Sequence, residues 1–151
     1  MEVFVMSTSL DDDVIVMQSR SYSCGPAALA TVLRNLGVNC TEAELAELAG
    51  TDESGTTMYG LILAATSKGL RARGVKMELN DLRKNHIVFV KYGDTCHYTV
   101  VISMDERNIT LADPALGRIK IKREIFSRIF TGNVLVIEKP EINKSDIKFN
   151  D

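Results

Sequence analysis

The residue with the clearest chemical potential is Cys24, which stands where the polar stretch "QSRSYS" gives way to the apolar run "AALATVLRNLG". A free thiol has a pKa of about 8.5 and is mostly protonated at neutral pH. A nucleophilic cysteine therefore needs positive charge beside it, which stabilises the thiolate. Because Pro26 favours the first turn of a helix, the spacing predicts a helix that begins almost at Cys24. The unpaired N–H groups of a helix start favour a thiolate. The competing interpretation is a small apolar residue that fills a core.

His97 and Asp113 are the candidates for the base that such a thiol requires. His97 opens "HYTVVIS", a β-branched stretch that predicts a strand, and Asp113 ends the next predicted strand in "TLADPALG". Neighbouring strands can bring a carboxylate to the distal imidazole nitrogen, where it fixes the tautomer and stabilises the imidazolium. Taken separately, His97 fits a structural role and Asp113 a turn before proline. The other histidine, His86, is predicted to face solvent in a charged turn.

Gln18 could complete this set as a donor to an oxyanion. It precedes Cys24 by six residues, in a loop that can fold back over the helix start. Acyl transfer needs donors for the negative charge that forms on the attacked carbonyl oxygen, and a neutral amide can supply one. The alternative is a solvated loop glutamine. The order Cys, His, Asp, on a helix start and two neighbouring strands, matches the papain-like arrangement.

The remaining cysteines do not suggest another kind of site. The chain has three cysteines without close paired spacing, so neither a disulfide framework nor a zinc site is predicted. Cys96 directly precedes His97, and neighbouring strand residues point to opposite faces, so the two cannot share one site without a bulge. Cys40 is expected to be structural or exposed. We therefore expect no metal and no cofactor.

The remaining sequence predicts helices first and strands afterwards. Thr41 and Glu44 form a capping-box pattern for a second helix, and a third begins near Met58 and ends near Gly69. Short β-branched segments follow, with one small helix before the last strand: "RARGVKM", "IVFVKY", "HYTVVIS", "NITLAD", "RIKIK", "REIFSRIF" and "NVLVIE". This order predicts an α+β fold with the helices packed on one side of an antiparallel sheet. We expect one domain over residues 1–139 and a flexible polar tail over 140–151.

Composition limits the partners. Of 151 residues, 45% are hydrophobic and 25% charged, and the net charge is −2, so nucleic acid and anionic membrane surfaces are not expected partners. The first residues have no basic start and meet three aspartates early, which predicts no signal peptide. No apolar run approaches the ~20 residues of a membrane span. A cytoplasmic protein is expected.

Four ordered motifs connect the sequence to a known family. The segments "QSRSYSCGPAALA", "GTTMYGLILAA", "CHYTVV" and "DPALG" together resemble the double-glycine leader peptidases, and the resemblance runs from about Val14 to Glu138. These papain-like cysteine peptidases are typically the N-terminal cytosolic domain of bacteriocin-exporting ABC transporters. The resemblance implies that Cys24 is the nucleophile, His97 the general base, Asp113 its orienting partner and Gln18 the oxyanion-hole side chain.

The resemblance also implies a substrate, a leader peptide cleaved after a Gly-Gly, Gly-Ala or Gly-Ser junction. An ABC transporter is the implied partner, as a separate chain or as a missing part, and it could hold the protein at the inner face of the membrane. Two alternatives stay open at this stage. One is a non-catalytic module that binds export cargo. The other is a different Cys-His-Asp acyl transfer, by a cell-wall peptidase, a transglutaminase-like enzyme or an amidase.

Overall fold

Three helices follow a short first strand (Val3–Val5) and form one layer. The computed structural model describes residues 3–5 and 14–140, and its first helices are α1 (Cys24–Asn35), α2 (Glu42–Ala49) and α3 (Met58–Ser67). Thr41 caps α2, because its Oγ1 accepts a hydrogen bond from the Glu44 N–H at 3.1 Å, and Thr57 caps α3 through the Gly60 N–H at 3.0 Å. Both helix starts therefore follow from local sequence.

The strands form one antiparallel sheet. The described strands are β1 (Val3–Val5), β2 (Arg71–Lys76), β3 (Ile87–Tyr92), β4 (Thr95–Met104), β5 (Asn108–Asp113), β6 (Gly117–Lys122) and β7 (Phe130–Glu138). Their order across the sheet is β1-β6-β5-β4-β3-β7-β2, and each neighbouring pair is antiparallel. The strands β3 to β6 are successive neighbours, whereas β7 inserts between β3 and β2. A 3₁₀ turn (Leu79–Asp81) precedes β3, and helix α4 (Arg123–Ile129) precedes β7.

The sheet separates two apolar cores. Helices α1 to α3 cover one face, where Leu29, Leu33 and Leu61 are fully buried against strand residues such as Val100. The other face packs against α4 through the fully buried Phe126. Burial of apolar area on both faces stabilises the central strands, which accordingly carry few charged side chains.

The predicted α+β architecture, with helices packed on an antiparallel sheet, is confirmed. The order differs at the start, because the short strand β1 precedes the helices and pairs with β6. The small fourth helix also differs, since it packs on the face opposite α1 and does not join the other helices. That helix also stops one residue earlier than "REIFSRIF" suggests, since Phe130 already begins β7. The three early aspartates and the polar tail beyond residue 140 lie outside the described residues.

Candidate active site

Cys24 is the first residue of α1, as predicted. Its side chain is half-buried, and its sulfur hydrogen-bonds with the His97 ring and with the backbone N–H groups of Tyr98 and Gly25. The helix start and strand β4 therefore meet at this sulfur. This is the environment in which a thiolate is stabilised by nearby donors.

His97 and Asp113 are hydrogen-bonded to each other. His97 Nε2 lies 2.9 Å from Asp113 Oδ2, and both side chains are largely buried. Val100 of β4 stands opposite Ala112 of β5, so Asp113 falls diagonally across from His97 on neighbouring strands. Such a diagonal is within reach of long side chains. Because Nε2 is engaged by Asp113, Nδ1 is the ring nitrogen left for Cys24.

The Asp113 carboxylate is held in place at both oxygens. Oδ1 accepts hydrogen bonds from the Ala115 and Leu116 N–H groups, at 2.9 and 3.1 Å, while Oδ2 faces the imidazole. The residue thus forms a turn, which was one interpretation of its sequence position, and also contacts His97. The two interpretations are compatible, because each uses a different oxygen.

The electrostatics of the three side chains favour an ion pair. Burial raises the pKa of Cys24, but the hydrogen bond and charge of His97 and the backbone donors outweigh it and lower that pKa below its ordinary value. Burial lowers the pKa of His97, and the hydrogen bonds with Asp113 and Cys24 outweigh it and raise that pKa to about 9. Burial likewise opposes ionisation of Asp113, yet His97 keeps its pKa below the ordinary value. A thiolate, an imidazolium and a carboxylate are therefore mutually stabilised.

Gln18 is tied to the same region through its backbone. Its N–H donates to the Pro114 carbonyl at 2.8 Å, directly after Asp113 in the chain. The side-chain Nε2 donates to the Arg20 carbonyl at 2.9 Å. Among the described residues, Oε1 is buried without a hydrogen-bond partner. Nε2 has two hydrogens, so one remains available after the bond to Arg20.

The other histidine and cysteines lie outside this cluster. His86 occupies a turn, as predicted, but it is half-buried and its Nδ1 accepts from the Arg83 N–H at 3.0 Å, so the expectation of a solvent-facing ring is wrong. Cys96 is exposed although it adjoins His97, in keeping with strand alternation. Cys40 is buried in the helical core. Within residues 3–5 and 14–140, no three His, Cys, Asp or Glu side chains are grouped so as to hold a metal ion.

Several groups that support the candidate site were not predicted from the sequence. The Tyr98 N–H is a backbone donor, and the Pro114 carbonyl is a backbone acceptor, so neither leaves a signal in residue identity. Glu42 accepts from the Ser19 N–H and Oγ, at 2.9 and 2.6 Å, and ties the loop before Cys24 to α2. Its position at a helix start is common for acidic residues and does not reveal the contact.

A small apolar cavity borders the His97 and Asp113 side chains on the α4 side of the sheet. Its volume is about 140 Å³, and its described lining includes Leu111, Ile119 and Phe126. A cavity of this size can hold a single apolar side chain. The site thus combines the Cys24 thiol beside His97, the Asp113 carboxylate on the same ring and a nearby apolar cavity.

Comparison with known proteins shows the family to which the chain belongs. The sequence matches the peptidase C39 family over residues 12–142. The chain belongs to the peptidase C39 family. It also resembles the peptidase domain of Streptococcus ComA, described as a bifunctional ABC transporter involved in a quorum-sensing pathway, with a TM-score of 0.78 and 32% identity over 83% of this chain and 97% of that one.

A second similar structure is that of a double glycine motif protease from an AMS/PCAT transporter in complex with the leader peptide. It has a TM-score of 0.76 and 27% identity, and the match covers 84% of this chain and 91% of that chain. These likenesses confirm the papain-like peptidase fold that the sequence resemblance implied. The family match and these two structures also confirm the resemblance to the double-glycine leader peptidases.

The sequence relatives divide into two kinds. An uncharacterized protein of Methanothermobacter thermautotrophicus is 93% identical over 93% of this chain and 99% of its own length. The colicin V secretion/processing ATP-binding protein CvaB of Escherichia coli is 30% identical over 82% of this chain, but only 18% of that protein is covered. This chain therefore corresponds to a small part of the transport proteins that it matches. None of its helices, over the residues that the structure describes, is long and apolar enough to cross a membrane.

Proposed function

We propose that this C39 peptidase-family chain is a cysteine endopeptidase that cleaves a leader peptide after a Gly-Gly type junction. The observation that carries the proposal is the contact of the Cys24 sulfur with a histidine that is itself held by a carboxylate, His97 Nε2 to Asp113 Oδ2 at 2.9 Å. Chemically, this cluster supplies a nucleophile and a proton carrier. Its raised imidazole pKa and lowered thiol pKa suit a reaction at neutral pH.

In the proposed reaction, the Cys24 thiolate attacks the carbonyl carbon of the scissile peptide bond. A sulfur–carbon bond forms and the carbonyl electron pair moves to oxygen, where a hydrogen of Gln18 Nε2 would stabilise the charge. The carbon–nitrogen bond then breaks, and the His97 imidazolium gives its proton to the leaving amine. Asp113 keeps the ring oriented throughout.

The second half of the reaction regenerates the enzyme. Water attacks the thioester carbonyl while neutral His97 takes one of its protons. The carbon–sulfur bond breaks, and Cys24 returns as a thiolate paired with the imidazolium. The leader is released with a new carboxyl group, which loses the second proton of the water to solvent and becomes a carboxylate. Both halves of the proposed reaction balance in protons and electrons with water as the co-reactant.

The substrate assignment draws on the site and on the family. The solved double glycine motif protease binds a leader peptide, and CvaB is described as a secretion/processing protein. In this chain, half-buried Cys24 lies where the start of α1 meets β4, and the small residues proposed at the cut follow from the double glycine motif of that relative. The apolar cavity beside His97 suits one apolar side chain of the leader.

The proposed partner is an ABC transporter that exports the processed peptide, either as a separate chain or as a part joined to this one. This follows from relatives such as CvaB, in which the matched region belongs to a transport protein. The proposed site of action is the cytoplasm, including the inner face of the membrane where such a transporter would hold the peptidase. Copurification with the transporter encoded nearest to this gene would test the pairing.

The direct test is cleavage of a synthetic leader that carries an apolar helical segment, a Gly-Gly junction and a short reporter peptide. We expect the wild type to cut after the second glycine, and a Cys24→Ala variant to cut at the background rate only. A Cys96→Ala variant is the matched control, because it removes an exposed thiol next to His97 and should leave the rate unchanged. Equal cleavage by the wild type and Cys24→Ala would contradict the proposal.

The same assay separates the alternatives. Tight binding of the leader by the wild type without cleavage, together with an unreactive Cys24, would favour a cargo-binding module. Cleavage or transfer on cell-wall peptides or glutamine side chains, but not on the Gly-Gly leader, would favour another acyl-transfer enzyme. The ion pair between a thiol and a carboxylate-held histidine speaks against a binding module, because such a module has no use for it.

A further inference from the structure

Ser23 occupies the N-cap position of α1 but does not cap the helix. A serine at this position normally accepts a hydrogen bond from the N–H of the second or third helical residue. In this part of the described chain, Ser23 makes no such side-chain bond, although it is only 2% exposed. The third helical residue is Pro26, which has no N–H to offer. The Gly25 N–H therefore stays free to bond to the Cys24 sulfur.

The Ser23 hydroxyl instead closes a turn on Arg20. Oγ accepts from the Arg20 N–H at 3.0 Å and donates to the Arg20 carbonyl at 3.1 Å. The Ser23 N–H donates to the same carbonyl at 3.2 Å. Three hydrogen bonds thus join Ser23 to the Arg20 backbone in the loop before the nucleophile.

The Arg20 carbonyl also determines which way the Gln18 amide faces. It accepts from Gln18 Nε2 at 2.9 Å, and Gln18 Oε1 has no other partner in the described structure that could fix the amide. A rotated amide would bring Oε1 against the Arg20 carbonyl oxygen, and two acceptors repel. The bond to Arg20 therefore keeps Nε2, with its second hydrogen, on one defined side.

We propose that Ser23 is a positioning residue that orients the Gln18 amide through the Arg20 carbonyl. This inference rests on the proposed peptidase function, in which Gln18 stabilises the oxyanion. Ser23 itself does not contact the reacting atoms.

The test compares the kinetics of Ser23 variants on the Gly-Gly leader. Removal of an oxyanion donor costs about 10²–10³ in kcat, so a loosened donor in Ser23→Ala should cost about tenfold, with KM unchanged. Ser23→Thr keeps the hydroxyl and should retain most of the wild-type rate. Ser21→Ala is the matched control, because Ser21 is exposed in the same loop. An unchanged kcat in Ser23→Ala would overturn the proposal.

Two further readouts separate positioning from general damage. In a Gln18→Ala background, Ser23→Ala should change kcat by less than about twofold, because the two residues act through one chain of hydrogen bonds. The pH dependence of Cys24 alkylation by iodoacetamide should be that of the wild type, since displacement of iodide needs the thiolate but no oxyanion donor. Additive losses, or slower alkylation in parallel with slower cleavage, would overturn the proposal.

Unfolding of Ser23→Ala and failure of the proposed peptidase function can each be told apart from failure of the Ser23 proposal. If Ser23→Ala unfolds, Ser23→Gly removes the same hydroxyl at little cost to a helix start and takes its place in each comparison. Cleavage that persists in Cys24→Ala would overturn the peptidase function and this inference together. Cleavage that depends on Cys24 but is insensitive to Ser23 would overturn the positioning role alone.

Discussion

Gln18 and Pro114 are joined by a backbone hydrogen bond, in which the Gln18 N–H donates to the Pro114 carbonyl at 2.8 Å. Pro114 directly follows Asp113, whose Oδ2 contacts His97. The proposed oxyanion donor and the proposed orienting carboxylate are thus connected through one backbone contact. Both are positioned without any side-chain contact between them.

This connection makes Gln18 a residue that can be altered without releasing its loop. In Gln18→Ala the backbone bond to Pro114 persists, so we expect the fold to be retained while kcat falls by about 10²-fold with KM little changed. Steady-state kinetics on the Gly-Gly leader would measure this. A rise in KM with kcat unchanged would instead assign Gln18 to substrate binding.

Asp113→Asn tests the orienting carboxylate. The asparagine Oδ1 can still accept from the Ala115 and Leu116 N–H groups, so the turn should survive with a small change in Tm. The charge and hydrogen bond that raise the pKa of His97 are lost, and kcat/KM should fall by about 10²-fold or more. Kinetics and thermal unfolding on the same samples provide the check. A loss of stability with wild-type kcat/KM would refute the catalytic role.

The pH dependence of kcat/KM should be bell-shaped. Activity rises as Cys24 becomes a thiolate, at a pH below the ordinary cysteine pKa, because that pKa is lowered. It falls as His97 loses its proton near pH 9, since a neutral ring cannot protonate the leaving amine. In Asp113→Asn the alkaline limb should move to lower pH. A profile that keeps rising beyond pH 10 would contradict the ion-pair assignment.

Gly60 offers a test of the helix layer that is independent of catalysis. A Cβ at this position would collide with the Ala49 carbonyl oxygen, so α2 and α3 could not pack as they do. Glycine to alanine normally stabilises a helix interior, but here we expect a loss of about 1–3 kcal/mol in the free energy of unfolding. Denaturant unfolding would measure it.

Gly74→Ala is the matched control for that experiment. Its Cβ would meet only the flexible Met58 side chain, so the change in unfolding free energy should stay within about 0.5 kcal/mol. Equal effects at both glycines would show that backbone entropy, and not the contact with Ala49, governs the response.

Much of the fold and the grouping of the site could be predicted because local rules decide them. The spacing of Thr41 and Glu44 predicts a helix start. Alternation of side chains along the strand "CHYTVV" predicts that Cys96 and His97 point to opposite faces. The antiparallel neighbours β4 and β5 follow from a short turn, and they bring Asp113 to His97.

Other features depend on contacts between distant segments or on competition between groups. A serine directly before a helix is typically a capping residue, yet the Ser23 hydroxyl bonds to Arg20, because a nearby backbone donor and acceptor compete with the helix for it. The pairing of β1 with β6 and the position of β7 between β3 and β2 are set by long-range packing that a residue pattern does not contain. His86 also stands at a contact between distant segments, since its carbonyl accepts from the Val101 N–H of β4 at 2.9 Å.

The position of β7 also has a consequence for synthesis on the ribosome. In the described sheet β2 pairs with β7 alone, although more than fifty residues separate the two strands in the chain. As the chain emerges, β2 has no neighbour until the last strand is made, and this non-local pairing closes late. The sheet of a nascent chain therefore stays open beside β2 until Phe130–Glu138 have left the ribosome, so the pair of β2 and β7 can form only after the strands from β3 to β6 have been made.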